Sequence, residues 1–294
     1  MLFFVSLLVD GALAGAIYAP IALAFVVVYK ASRMVNFALG EWAMLGTRLV
    51  ATGLYVVGLE LPGSIGVACA ATIGLAIAFN RLVLYHLVGR PLVSVIMVTL
   101  GLGAVLRGAI PLVFGGIPGA IPLPIPPEPL VVRGVLVSTE KLVAAVISTA
   151  AIAILVWFFR RTRTGLALQA IADDQQAAMA MGIDVHRHFS IMWAVMGALS
   201  VAAGTLWTFA FGAGFGVVLI GLKVFPIVII GGLDSIPGAL VSAMAIGVLE
   251  SLAAGYLDPI AGAGLSSISS YFVLLAMLSV RPHGMFGRPA VERV

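Results

Sequence analysis

Charged residues are scarce in this 294-residue chain: they make up 10% of it, against about a quarter of an average soluble domain. Hydrophobic residues supply 62% of the chain, and the mean hydropathy is +1.19. So few charges cannot cover a water-soluble fold of this length. The composition therefore predicts an all-α, polytopic membrane helix bundle, folded as a single transmembrane domain over residues 1–294.

Cysteine is also nearly absent. Cys69 is the only one and lies in an apolar run, so an internal disulfide is excluded and we expect a small buried residue. The 16 Lys and Arg residues outnumber the 12 Asp and Glu residues, but no compact basic patch with interleaved aromatic residues accompanies the excess. We interpret the excess as a signal of membrane topology, and we expect no nucleic-acid partner.

Sequence motifs of common nucleotide-binding, catalytic and metal sites are missing. No G-x-x-x-x-G-K-[ST] phosphate loop occurs, so the chain cannot hydrolyse ATP by that mechanism. The apolar spans contain no Ser/His, paired-aspartate or H-E-x-x-H arrangement, and we therefore do not expect an enzyme. His186 and His188 have no third ligand close in sequence, so we expect loop residues and no metal site.

About eight or nine hydrophobic segments, each near the roughly 20 residues that cross a bilayer, follow one another along the chain. Basic turns stay in the cytoplasm, which predicts an external N-terminus and a cytoplasmic C-terminus. We expect re-entrant or broken segments first at 36–45 and 217–230. The basic turns are 30–33, 81–90, 160–163 and 281–293.

Residues 115–139 form a proline-rich stretch. Six prolines between positions 118 and 129 exclude a regular helix. Its only charged residues before Thr139 are Glu128 and Arg133. Because it lacks a basic cluster, we predict that it is an external loop.

Residues 160–188 are the longest stretch that does not resemble a membrane span. A helical wheel places Gln169, Asp173 and Gln176 on one narrow polar stripe, opposite Ile171. The basic start of the stretch assigns it to the cytoplasm. We predict a short amphipathic helix held between two membrane spans.

Asp173 or Asp174 can cap a short helix that Gly182 ends, so we predict a break near the two aspartates. Such an element is suited to bind a protein outside the membrane. The alternative is a helix that lies on the lipid headgroups, since three nearby arginines are equally compatible with anionic lipid.

Inserting an ionisable residue at the bilayer centre costs a free energy of order 3 kcal/mol. Such residues within the predicted spans therefore usually face a cavity or a partner. We expect Lys223 to pair with Glu250 or with Glu41. Such a pair would either order the helices or line a solute pathway, and a charge-neutral wall would suit a zwitterionic or uncharged solute. The full set is Glu41, Arg48, Arg107, Lys223 and Glu250.

Asn36 and three glycines mark points where the backbone can leave regular helix. Broken helices line the translocation routes of other transporters. Glycine in a membrane helix also serves close packing, and more often does so. Both interpretations stay open for Gly40, Gly231 and Gly232.

Three motifs of the chain resemble those of one family. Residues 36–41, Asn-Phe-Ala-Leu-Gly-Glu, are similar to the N-F-A-H-G-E motif of permease subunits from branched-chain amino-acid ABC importers. Leu39 stands where the family has histidine, which leaves the substrate open, because the family also includes permeases for urea and amides. The cytoplasmic stretch and the C-terminal third are also similar, through residues 163–165, 181–183, 221–223, 231–239 and Glu250.

The resemblance implies a permease subunit that forms part of the pathway for branched-chain or similar small apolar amino acids in a bacterial inner membrane. It implies two ATP-binding subunits, a second identical or related permease and an external solute-binding protein. ATP and Mg²⁺ would be used by the partner subunits, and we expect no cofactor on this chain. The alternative is an ion-coupled secondary transporter or a channel for a small solute.

The resemblance also assigns residue roles. In the family, the cytoplasmic loop docks into an ATPase subunit; here Gln176 replaces the glutamate of an E-A-A-x-x-x-G spacing. The residues implied for ATPase coupling are Gly165, Ala170, Asp173, Asp174, Gln176, Ala177, Ala178 and Gly182. For the translocation pathway, the hypothesis names Asn36, Glu41, Lys223, Glu250, Gly231 and Gly232.

Overall fold

The computed structural model describes residues 1–87, 91–122, 125, 128–132, 134–212, 216–262, 264–281 and 284–287. Within these ranges the chain is helical apart from turns and one antiparallel ribbon of two short strands. Some residues used in the topology prediction lie outside the described residues, namely Arg90, Pro124, Pro126, Pro127, Arg133, Arg288 and Arg293.

The helices follow one another with short connections. The first four are α1 (Leu2–Ser32), α2 (Leu39–Thr52), α3 (Leu61–Leu82) and α4 (Leu92–Phe114). A π-helical turn, Gly53–Val57, continues α2, and a 3₁₀ turn, Leu84–Leu87, follows α3. The later helices are α5 (Thr139–Arg161), α6 (Arg163–Asp173), α7 (Gln175–Ala180), α8 (Val185–Phe211), α9 (Gly216–Gly231), α10 (Ile236–Tyr256), α11 (Asp258–Ala261) and α12 (Leu265–Val280).

Six of the described helices are long and apolar enough to cross a membrane. They cover Leu2–Ser32, Leu61–Leu82, Val93–Phe114, Thr139–Arg161, Val185–Phe211 and Ile236–Ile260. Two shorter apolar helices, Val217–Gly231 and Leu265–Val280, accompany them. The predicted polytopic helix bundle is confirmed, with six spanning-length helices among the described residues.

Helix α1 forms the centre of the bundle. All of its residues from Ile17 to Val28 are buried, and its most extensive contact is with α10. The two helices approach closely because Gly11 and Gly15 face α10. A Cβ atom on Gly15 would lie 2.6 Å from the carbonyl oxygen of Ala243. The backbones can touch only where side chains are absent, as in other small-residue contacts between membrane helices.

Helix α9 differs from its prediction. The sequence predicted a re-entrant or broken segment at 217–230, but the structure has one helix over Gly216–Gly231 that includes Lys223 and Pro226. Proline removes one backbone hydrogen bond, and membrane helices tolerate this when neighbouring groups compensate. At about 1.5 Å per residue, the 16 residues of α9 extend about 24 Å, less than the roughly 30 Å of the hydrocarbon core.

The described residues of the proline-rich stretch form no helix between Phe114 and Thr139, as its prolines require. They do form a ribbon that the sequence analysis did not predict. Leu130–Val132 pairs antiparallel with Val135–Val137, with Leu130 opposite Val137. The ribbon packs beside the start of α1.

Candidate functional site

The stretch at residues 160–188 contains two short helices, α6 and α7, separated by the predicted break. Asp174 lies between them in extended conformation, and its Oδ1 accepts hydrogen bonds from the backbone N–H groups of Gln176 (2.9 Å) and Ala177 (3.0 Å). Gly182 ends the segment with φ +83°. Asp174, and not Asp173, is therefore the cap of α7.

One face of the α6–α7 pair packs onto the bundle. Ile171, Ala178, Val185 and Phe189 form a small buried cluster that joins the pair to α8. At the other end, a Cβ on Gly165 would lie 2.6 Å from the Cα of Phe159. Gly165 and Ala178, both assigned to ATPase coupling, are thus buried and hold the pair in place.

Gln169 does not lie on a free polar face. Its amide donates a 2.6 Å hydrogen bond to the Phe159 carbonyl and ties α6 to the end of α5. The break at Asp174 interrupts the continuous wheel, so the predicted stripe does not extend from Gln169 to Gln176. The coupling residues that do lie on the surface are Ala170, Asp173, Asp174, Gln176, Ala177 and Gly182.

Two exposed methionines lie on the same surface and were missed by the sequence analysis. Met179 is 50% exposed and Met181 is 84% exposed, although each is a large apolar side chain. Methionine is flexible and polarisable, and it is frequent at surfaces that bind other proteins. Their position beside Gln176 gives the α7 surface an apolar component. We call the exposed residues 173–182 the α7 surface.

Within the bundle, Lys223 of α9 pairs with Glu250 of α10, one of its two predicted partners. The Lys223 Nζ lies 2.7 Å from Glu250 Oε2, and the Tyr18 hydroxyl of α1 donates a 2.8 Å hydrogen bond to the same oxygen. The ammonium also lies over the rings of Tyr18 and Trp207, at 5.2 and 5.8 Å from their centroids. Four helices therefore meet around one ion pair.

Glu41 has a different partner. Its carboxylate, 3% exposed, accepts hydrogen bonds from Nε (3.1 Å) and Nη2 of Arg107 on α4, whose side chain is 61% exposed. Arg48 donates a 3.2 Å hydrogen bond to the carbonyl of Ile117. The structure thus splits the predicted set into a Glu41–Arg107 pair between α2 and α4 and the Lys223–Glu250 pair between α9 and α10.

Local structure and close packing account for Asn36, Gly231 and Gly232. Asn36 is buried, and its side-chain oxygen accepts a 3.0 Å hydrogen bond from the backbone N–H of Ala38, just before α2 begins. A Cβ on Gly231 would lie 2.5 Å from the carbonyl of Gly238, and Gly232 has φ +97° in the α9–α10 turn. Gly40, for which both interpretations were left open, packs against Gly221.

A cavity of about 160 Å³ lies beside the Lys223–Glu250 pair. A second ion pair borders it: the Lys141 Nζ of α5 lies 2.7 and 2.9 Å from the two carboxylate oxygens of Asp10 on α1. Asp10 and Lys141 are 131 residues apart, and no local motif connects them. Only the packing of α5 on α1 could reveal this site.

His186 and His188 have separate surroundings. His186 lines an open cavity of about 880 Å³ with His86, Arg81 and Arg187, and His188 contacts the Asp184 carbonyl at 2.7 Å. Among the described residues, no group of three His, Cys, Asp or Glu side chains is arranged to hold a metal ion.

The fold and these sites define a multi-pass α-helical membrane protein with a helix pair at one face and paired charges inside. The family model described as branched-chain amino acid transport system, permease component, matches residues 7–280. The chain belongs to this family and is a permease subunit, a membrane component of an importer that has other subunits.

Individual relatives extend over nearly the whole chain. The high-affinity branched-chain amino acid transport system permease protein BraD of Pseudomonas aeruginosa is 28% identical, over 98% of this chain and 97% of its own. LivH of Escherichia coli K12, with the same description, is 28% identical over 100% and 98%. A probable branched-chain amino acid transport permease, LivH of Methanocaldococcus jannaschii, is 35% identical over 43% of this chain and 42% of its own.

A solved structure shares the fold. The chain is similar to PsaBC from Streptococcus pneumoniae in complex with Fab, with a TM-score of 0.50 and 15% identity over 94% of this chain and 92% of that one. At this identity the similarity concerns the arrangement of the helices alone.

Proposed function

We propose that this chain forms one half of the membrane pathway of an ATP-driven importer for branched-chain or similar small apolar amino acids. Family membership supports the permease role, and the relatives' names supply the substrate class. The observation that carries the ATP-driven part is the α7 surface: α7 is a capped, exposed helix, and the α6–α7 pair to which it belongs packs on α5 and α8.

The complete importer, in this proposal, contains two ATP-binding subunits, a second permease of the same or a related sequence and an external solute-binding protein. The ATPase subunits bind ATP and Mg²⁺, since this chain has no phosphate loop. One ATPase subunit docks on the α7 surface, with Asp173, Gln176 and the methionines as contacts.

The α6–α7 pair transmits motion because it is fixed at both ends. The Gln169–Phe159 hydrogen bond holds it to α5, and the cluster around Ile171 and Phe189 holds it to α8. Closure of the ATPase subunits then moves α5 and α8 together. The helices rock about a central route, with the solute delivered from outside by the binding protein and released to the cytoplasm.

The proposed topology has nine crossings, by α1 to α5, α8, α9, α10 and α12. With the N-terminus outside, α1, α3, α5 and α12 all end at the cytoplasmic face, where Lys30, Arg81, Arg160 and Arg281 are found. The α6–α7 pair then lies in the cytoplasm and the Leu130–Val137 ribbon outside. Short helices such as α2 and α9 are covered by longer neighbours.

A purification experiment tests the ATPase partner. The wild-type chain is purified in mild detergent beside a variant with Asp173, Asp174 and Gln176 changed to arginine, and co-purifying proteins are identified by mass spectrometry. We expect the wild type to retain an ATP-binding subunit and the variant to lose it. A control with His86→Arg and Phe286→Arg adds cationic side chains at other exposed positions and should retain it.

Uptake separates this proposal from an ion-coupled carrier. In proteoliposomes, leucine uptake by the complete complex should require ATP on the side of the membrane where the ATPase subunits lie. Uptake that persists without any ATPase subunit and follows a proton or sodium gradient would refute the importer and establish the secondary transporter.

A further inference from the structure

The cavity beside Lys223 and Glu250 is small, polar and built from distant parts of the chain. Its wall includes Asp10 and Tyr18 of α1, Lys141 of α5, Lys223 of α9 and Glu250 of α10. Its volume of about 160 Å³ corresponds to roughly five water molecules at about 30 Å³ each. In the proposed topology it opens in the outer half of the membrane. The cavity therefore fits a small chemical group.

The charges around this cavity balance. Two ammonium groups face two carboxylates as the pairs Lys141–Asp10 and Lys223–Glu250, each 2.7 Å apart at the closest atoms. A cation or an anion entering alone would leave one of its partners in excess, which is costly away from water. A solute with one positive and one negative group would keep the charges balanced on binding.

One oxygen of the Glu250 carboxylate has no hydrogen-bond donor among the described residues. Glu250 is 7% exposed, and its Oε2 accepts from both Tyr18 and Lys223. Its Oε1 is buried and has no hydrogen-bond partner among the described residues. An unpartnered carboxylate oxygen in an apolar bundle carries a desolvation penalty that an N–H donor would remove. An ammonium group is the strongest such donor.

Three neighbouring aromatic rings contact the two lysines. The rings of Trp207 and Phe211 are 4.5 Å apart and those of Tyr18 and Trp207 are 5.6 Å apart. Lys141 lies 5.3 Å from the Phe211 ring, while Lys223 lies over Tyr18 and Trp207. Because cation–π attraction holds each ammonium independently of its carboxylate, both can turn toward a new anion without losing all their contacts.

We propose that this cavity binds the zwitterionic head of an α-amino acid, with the ammonium group on Glu250 and the carboxylate group between Lys141 and Lys223. The proposal rests on the function proposed above and adds where in the permease the solute is selected. The site would also discriminate between the classes of solute that such permeases transport. Amino acids bind here, whereas uncharged urea and amides do not engage the two ion pairs.

Direct binding tests the site without the external binding protein. The complete permease–ATPase complex is placed in lipid nanodiscs, and equilibrium binding of tritiated L-leucine is measured. We expect saturable binding to the wild type and at least tenfold weaker binding to Glu250→Gln and to Lys141→Met. Glu140→Gln removes an exposed carboxylate next to Lys141 in sequence but outside the cavity wall, and should bind as the wild type does.

Lys141→Met guards against a variant that simply misfolds, because it leaves the inner Lys223–Glu250–Tyr18 contacts intact. The thermal unfolding of each complex is recorded alongside binding. Competition then tests the zwitterion: L-leucine and L-valine should displace the label, while 3-methylbutylamine, 4-methylpentanoate and urea should not.

The outcomes separate this site from the function proposed above. Absence of leucine binding to the wild type, equal binding to all variants, or displacement by the amine or acid alone overturns the site. If the complex with its binding protein still imports leucine in those cases, the importer stands and selection lies elsewhere. If the wild type binds leucine and the variants do not, the site is established, and ATP-dependent uptake then decides the importer separately.

Discussion

Single residues decide the stability of this bundle where two backbones meet. Gly15 of α1 and Gly247 of α10 leave no room for a methyl group, since a Cβ on Gly247 would lie 2.6 Å from the Cα of Gly15. A Cβ on Gly74 of α3 would meet no heavy atom of the described residues within 4 Å beyond its own stretch of helix backbone. The same residue type therefore has opposite structural roles in two helices.

We expect Gly15→Ala to lower the free energy of unfolding by about 2 kcal/mol, because the added methyl group forces α1 and α10 apart. Gly74→Ala is the matched control and should hold or raise stability through better helix propensity. The apparent melting temperature in detergent, followed by size-exclusion chromatography after heating, measures both. Equal effects of the two substitutions would contradict the close contact.

The Lys223–Glu250 pair makes a second prediction at this scale. Lys223→Met leaves Glu250 buried without its cation, which costs about 3–5 kcal/mol when a buried pair loses one partner. We expect the double variant Lys223→Met/Glu250→Gln to recover part of that loss, since no charge is left unpaired. Melting temperatures of the three proteins provide the check. A double variant less stable than Lys223→Met would show that the two residues do not act as a pair.

Contacts between residues close in sequence could be predicted from the sequence. Ion pairs between distant residues could be predicted only in part. Asp174 could be proposed as a cap because the backbone N–H groups that donate to its side chain lie within three residues. For Lys223 the sequence left two partners, and the packing of α9 on α10 selected Glu250. The pair of Asp10 with Lys141 had no local signal at all.

At the scale of elements, the α6–α7 pair is the part of the molecule that connects the long helices α5 and α8 to the exposed α7 surface. Its two caps, Thr162 for α6 and Asp174 for α7, fix where each helix starts. Helix α7 has only six residues, so it is too short to be stable without its cap and its packing. The orientation of the α7 surface depends on both.

We expect Asp174→Ala to destabilise α7 by about 1 kcal/mol, the usual cost of losing an N-cap, and to weaken ATPase association. Asp174→Asn keeps the capping oxygen and removes the charge, so it should retain most of the association. Association is measured by titrating the purified ATPase subunit onto the permease in nanodiscs. If the asparagine variant fails as severely as the alanine variant, the charge and not the cap is what the partner needs.

Element boundaries followed composition well where glycine, proline or polar residues marked them. Helix α4 ends at Phe114 and α5 begins at Thr139, on either side of the proline-rich stretch. The ribbon of Leu130–Val132 and Val135–Val137 was not predicted, because the prolines of that stretch exclude a helix but give no sign of a strand pair. Helix α9 was predicted as broken because Pro226 and the neighbouring glycines were weighed without the surrounding helices that compensate for them.

At the scale of the whole molecule, the buried helix α1 organises a bundle whose outer helices are more exposed. Helices α3, α4 and α5 have many exposed apolar side chains, among them Leu82, Leu112 and Trp157. Such a surface suits lipid or another membrane subunit. Composition alone predicted this class of fold, while the number of crossings depends on short helices that composition cannot place.

The proposed orientation makes a prediction about labelling. In a Cys69→Ser background, we expect Glu128→Cys to react with a membrane-impermeant maleimide in intact cells. Met181→Cys should react only after the cells are permeabilised, because the proposed orientation places the α7 surface in the cytoplasm. The cysteine-free protein is the control. The reverse pattern would invert the topology and move the cavity to the inner half of the membrane.

The balanced charges around the small cavity also bear on energetics. Moving one elementary charge across a membrane potential of 100 mV changes the free energy by about 2.3 kcal/mol. Two ion pairs that move with their helices displace no net charge, and a zwitterion adds none. The charges at this cavity would then add no net charge movement to a transport cycle, so their contribution to its energetic cost would be independent of the voltage across the membrane.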